Sequence, residues 1–139
     1  GKGQLKGLPK EILPYFDIKG RLPFSKMYDE IEKADFMITA YDDKDKEHIR
    51  YNTSGTSGNF QLAYGFLKPC VIVKSFAPIN GFDEKNSVMY NTIENYTDAL
   101  EKCINMSSED YSSMRNALKV YVDELYIKSL NNLKGLIYD

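Results

Sequence analysis

The sequence predicts an α/β domain in which a parallel sheet is covered by helices on both faces. Three observations predict it. Strand and helix signals alternate from end to end of the 139 residues. The apolar runs at 35–41 and 70–73 are near-continuous rather than alternating, the pattern of strands covered on both faces. The connections between elements are short, as a parallel sheet with crossover helices requires. A chain of this length forms one ordinary domain with a real core.

The elements follow in order. Residues 16–18 are a short apolar run stopped by Lys19 and Gly20, read as a strand end. Apolar residues at Phe24, Met27, Tyr28, Ile31 and Ala34 fit the helical period. Residues 35–41 are of strand length, and the mixed-charge stretch 42–52 reads as a solvated loop. Small polar residues at 53–58 precede a helix over 59–68, which Pro69 terminates because proline disfavours helix before it and lacks an amide. Residues 70–73 are a β-branched strand, 77–87 a long loop, and 88–90 one more short strand. Asn95 with Asp98 has the form of a capping box that opens a helix, and Ser107 with Asp110 repeats the signal. After it, Tyr111, Met114, Leu118, Tyr121, Val122 and Leu125 mark one apolar face. That face is read as packing on its own domain, with a partner-binding surface as the alternative.

Composition narrows the function classes. Hydrophobic residues at 42% and charged residues at 27% suit a globular chain rather than a disordered one. Eighteen Lys and Arg against twenty Asp and Glu give a net charge of -2, so no basic field points to nucleic acid. No apolar run approaches the roughly 20 residues of a membrane-spanning helix. Residues 1–10 are polar and glycine-rich, so no signal peptide is expected. Cys70 and Cys103 lack metal spacing and sit in apolar settings, which reads as reduced core cysteines of an intracellular protein.

In parallel α/β sheets, ligands sit beyond the carboxyl ends of the strands, near helix N-termini. This directs attention to the segments 41–58 and 74–87. Glycines and hydroxyl residues at 53–59 stand directly before a helix, where the first amides lack internal partners and the helix dipole favours an anion. Thr56 and Ser57 could add hydrogen bonds; a plainly capped helix after a loop is the competing reading. No Walker-type lysine follows the glycines, and Gly1-Lys2-Gly3 lacks the third glycine of a dinucleotide fingerprint. His48, the single histidine, has no cysteine or second histidine near it, so a zinc site is not expected and a solvated loop histidine is the plainer reading. No nucleophile elbow of the Gly-x-Ser-x-Gly kind exists. The acids at 42, 43, 45 and 47 alternate with lysines and read as solubility rather than a metal cluster. Asp83 and Glu84, in the second long loop, could partner a ligand hydroxyl, with a surface turn as the plainer reading.

Read in order, these segments resemble the C-terminal, donor-binding half of GT-B glycosyltransferases. Gly1-Lys2-Gly3-Gln4-Leu5 looks like that family's G-x-G-x-L, and residues 18–24 are similar to its strand-G-x-hydrophobic-P turn. Residues 31–38 match its helix-A-D-strand junction. Most specific is the stretch 56–73, which looks like S-G-x-x-x-L-A-x-x-x-x-K-P-V-I, and residues 86–90 stand in the place of an N-G-hydrophobic turn. The resemblance implies a Rossmann-like lobe lacking its first strand-helix unit. It implies transfer of a sugar from a nucleoside-diphosphate donor to a glycan or lipid-linked acceptor in surface glycan synthesis, with no cofactor. Arg21, Leu22 and Pro23 would border the nucleotide base. Amides of Ser57, Gly58 and Asn59, with Thr56 beside them, would hold the donor diphosphate, and Gln61 would face the ribose or sugar. Where many retaining members carry two glutamates around this helix, this chain has Ser54 and Leu62. The resemblance further implies that residues 1–139 are part of a two-domain enzyme, cytoplasmic and held at the inner membrane surface through an N-terminal domain. A nucleotide-sugar epimerase of the same architecture and a non-catalytic interaction module are the rival readings.

Overall fold

The structure is a computed structural model that describes residues 9–11, 13–53 and 57–138. The G-x-G-x-L stretch at the start, Ser54 and Thr56 lie outside those residues. The chain divides into two compact units, the first ending at Lys33 and the second beginning at Ala34.

In the first unit, a 3-10 turn at Leu13–Tyr15 leads through an irregular segment to helix α1, Phe24–Lys33. The strand end expected at 16–18 does not form: Phe16 and Ile18 are exposed and join no sheet. Asp17, Lys19 and Glu30 pair there instead, Lys19 lying 3.3 Å from Glu30. Two apolar residues separated by an aspartate were too short a run to specify a strand. Helix α1 matches its periodic signal to within one residue.

The second unit carries an α/β fold. Strands β1 (Met37–Ile38), β2 (Cys70–Val73) and β3 (Ser87–Tyr90) form a parallel sheet in that order. Met37 pairs with Cys70, and Cys70 with Ser87. All four residues of β2 are buried, so the central strand is covered on both faces. β1 departs from expectation. It holds two residues, not seven, and Ile38 is 49% exposed, as on an edge strand. Thr39 N–H still donates to Val71 O, but Tyr41 N–H then turns back to Thr39 O and ends the ladder.

Helix α2 (Lys46–Ile49) occupies the stretch read as a loop, opened by Asp45, whose carboxylate accepts from Glu47 N–H. Helix α3 (Gly58–Phe66) is followed by α4 (Tyr96–Ile104) and the 31-residue α5 (Ser108–Tyr138). α3 ends at Phe66, three residues before Pro69. Leu67 takes a left-handed conformation (φ 50°), and Lys68 N–H reaches back to Ala63 O, a termination usually given to glycine. The capping box at Asn95 is absent. That residue closes a 3-10 turn, and its side-chain oxygen accepts from Thr92 Oγ1 rather than from the helix. The box at Ser107 is present: Asp110 N–H donates to Ser107 Oγ, which donates to the Asp110 carboxylate.

The core gathers Phe60 and Ala63 of α3, all of β2, Val88 and Tyr90 of β3, and Met114 and Leu118 of α5. α4 lies against β3 and α3 against α5. Met114 and Leu118 are buried, so the Tyr111–Leu125 face packs on its own unit. Among the described residues no helix is long and apolar enough to cross a membrane.

Candidate functional site

The parallel sheet points the carboxyl ends of β1 and β2 the same way, and the chain leaves both through polar loops. Three features meet at this edge: residues 39–43 after β1, residues 74–76 after β2, and the first turn of α3. Ser75 Oγ donates to the Asp43 carboxylate at 3.1 Å, which joins the two strand-end loops. Tyr90 Oη donates to Thr39 O and Tyr41 O, which fastens the end of β1 to β3.

Ser57 is the N-cap of α3. Its extended backbone (φ -87°, ψ 130°) presents Oγ to Asn59 N–H at 3.3 Å. The same Oγ shares a 2.7 Å hydrogen bond with the Tyr41 hydroxyl. Phe60 N–H bonds to Ser57 O. The Gly58 amide has no protein partner among the described residues. The expected cradle of three amides is thus narrower in this arrangement, because Ser57 already occupies the N–H of Asn59. An incoming phosphate oxygen would compete with that hydroxyl as the stronger, charged acceptor.

Tyr41 is the hub of an aromatic group. Its ring stacks on Tyr51 (centroids 5.0 Å apart, 22° between planes) and packs on His48 at 5.2 Å. Phe60 and Phe76 of the core also pack on it, their ring centroids each 6.0 Å away. The Arg50 guanidinium lies 4.8 Å from the Tyr51 ring centre and donates to the Tyr51 hydroxyl. That hydroxyl raises the Arg50 pKa above its ordinary value, so the exposed cation stays charged. This edge therefore combines a helix N-terminus with two phenols, an imidazole and a permanent cation.

The sequence-derived candidates fall as follows. Ser57, Gly58, Asn59 and Gln61 lie together on the opening of α3; Ser57 is buried and the other three are exposed. Thr56 is outside the described residues. Arg21, Leu22 and Pro23 belong to the first unit, between Gly20 (φ 66°) and α1, where Pro23 O accepts from Met27 N–H. Asp83 and Glu84 do structural work: Asp83 Oδ1 accepts the amides of Lys85 and Asn86, and Glu84 lies 3.7 Å from Lys74. Among the described residues no group of His, Cys, Asp and Glu is placed to hold a metal ion. Sequence reasoning missed Tyr41, His48 and Tyr51 as a group. The available signal was Asp45 as an N-cap two residues before Glu47, which turns the supposed loop into a helix and fixes where its aromatic residues fall.

No family model, curated protein or solved structure matches this chain.

Proposed function

We propose that this chain is the donor-binding, Rossmann-like lobe of a GT-B glycosyltransferase, holding a nucleoside-diphosphate sugar for transfer to an acceptor hydroxyl. The observation that carries the reading is the start of α3 at the carboxyl edge of a parallel sheet, opened by Ser57-Gly58. This is where such folds bind phosphorylated ligands, and the stretch 56–73 resembles the family's helix and strand. In this reading the Gly58 amide, the positive end of α3 and the Arg50 guanidinium oppose the charge that accumulates on the leaving diphosphate, an electrostatic role needing no metal. Tyr41 fixes Ser57 so that the first turn is ordered before the donor arrives. Gln61, one turn into the helix and exposed, is the candidate contact to ribose or sugar.

The acceptor, the lipid or glycan it carries, and placement at the inner membrane surface belong to the same proposal through a second domain. The interaction-module reading would be favoured by an exposed Tyr111–Leu125 face together with a blocked pocket at Ser57–Asn59, whereas Met114 and Leu118 are buried in that face. Calorimetry of the chain with UDP and GDP tests the proposal. Heat of binding that is weakened in Gln61→Ala and weakened severalfold in Arg50→Ala is expected. Absence of binding to either nucleotide at millimolar concentration contradicts it.

A further inference from the structure

His48 is held in one tautomer by the backbone. Its Nδ1 accepts the Asp42 N–H at 3.0 Å, and an accepting ring nitrogen carries no proton. The neutral ring therefore bears its proton on Nε2, an assignment made from the hydrogen-bond network. In the imidazolium both nitrogens are donors, and Nδ1–H would face Asp42 N–H donor to donor. A charged acceptor, Asp45 Oδ2, lies 3.9 Å from Nδ1, on the residue that caps α2. Asp42 N–H and the Asp45 carboxylate thus compete for one nitrogen, the first for the neutral ring and the second for the charged one.

The ring sits two contacts from the start of α3. It packs on Tyr41, and Tyr41 bonds Ser57, the cap. The groups at the ring are Tyr41, on which it packs, and the Asp45 carboxylate, with Tyr51 stacked on Tyr41 in turn; Asp42, Lys44, Lys46, Glu47 and Arg50 are the other charged residues of the same stretch of sequence. Asp43 is engaged by Ser75.

We propose that His48 is a pH-sensitive positioning residue of this edge. Neutral, it pins Asp42 and supports the Tyr41 ring, keeping the phenol on Ser57. Protonated, it gives up Asp42 for Asp45, the segment between them rearranges, and the Tyr41–Ser57 bond loosens. The device regulates the donor site proposed above and rests on that reading only for its effect on nucleotide binding.

The switch is read in the ligand-free chain, by nitrogen NMR of the imidazole as pH is stepped down from about 8 to about 5. At the upper end the proton is expected on Nε2. The amides of Asp42 and residues 57–59 are expected to shift with the midpoint of the His48 ring. His48→Asn supplies an oxygen that can accept from Asp42 but does not titrate, so its amides at 57–59 are expected to stay flat. A proton on Nδ1 of the neutral ring, amides that ignore the ring's titration, or the same shifts persisting in His48→Asn would overturn the proposal. With UDP added, affinity several-fold weaker below the His48 midpoint is expected in the parent chain and not in His48→Asn. A chain that binds no nucleotide at any pH contradicts the donor-site reading alone, because the tautomer and the ligand-free shifts still decide the switch.

Discussion

Ser57 serves two partners through one oxygen, taking the Asn59 amide and bonding the Tyr41 hydroxyl. Removing a serine N-cap costs about 1 kcal/mol, and the loss of a typical hydrogen bond about another. Ser57→Ala is expected to lower unfolding free energy by about 1–2 kcal/mol in urea titration. Tyr41→Phe is expected to lose about 1 kcal/mol. The double variant should lose less than the sum, since the shared bond is counted once. Strict additivity would show the two side chains to be independent. Gly81 offers a sharper residue-level test. Its φ of 67° is left-handed, and an added Cβ would fall 1.9 Å from the Tyr121 ring. Gly81→Ala is expected to cost about 2–4 kcal/mol, combining backbone strain with overpacking. Placed in a Tyr121→Ala background, only the backbone share should remain. An undiminished cost there would discard the clash as its cause. Neither position announces itself in sequence. Gly81 reads as one more loop glycine until α5 is laid against it.

At the scale of elements, the signals that survived were local and strong. The period at 24–34, the β-branched run 70–73 and the Ser107–Asp110 box each formed as read. Those that failed depended on neighbours. Residues 35–41 have the apolar content of an inner strand, yet among the described residues β1 pairs only with β2 and ends at the Tyr41 turn. Asn95 has the residue type of a cap, but Thr92 claims its side chain. The cluster of Tyr41, His48 and Tyr51 was illegible because a short helix, not a spacing motif, brings positions 41, 48 and 51 to one another. α5 makes the contrast measurable along one helix. Leu118 is fully buried, whereas Ile137 is 64% exposed. Leu118→Ala is expected to cost about 2–5 kcal/mol and Ile137→Ala under about 0.5 kcal/mol, both read from denaturation midpoints. Equal costs would mean that the far end of α5 is packed like its middle.

For the molecule as a whole, groups buried in neutral form set the response to alkali. Burial pushes the Cys70 thiol from 9.0 up to about 12, and the Tyr90 hydroxyl from 10.0 up to about 12. Between the ordinary and raised values the folded chain holds protons that the unfolded chain has released. Stability is therefore expected to be full below pH 9 and to fall as pH rises through about 12. Cys70→Ala should make that decline shallower, as followed by urea unfolding at stepped pH. An unchanged slope would assign the decline to other groups. The account's central claim, that the start of α3 receives the diphosphate of a nucleotide-sugar donor, is tested most directly by amide NMR of the chain titrated with UDP and GDP. It predicts saturable shifts concentrated at residues 57–61 and at Arg50, largest at Gly58, whose amide has no protein partner among the described residues. Shifts at none of these residues with either nucleotide at millimolar concentration would contradict it.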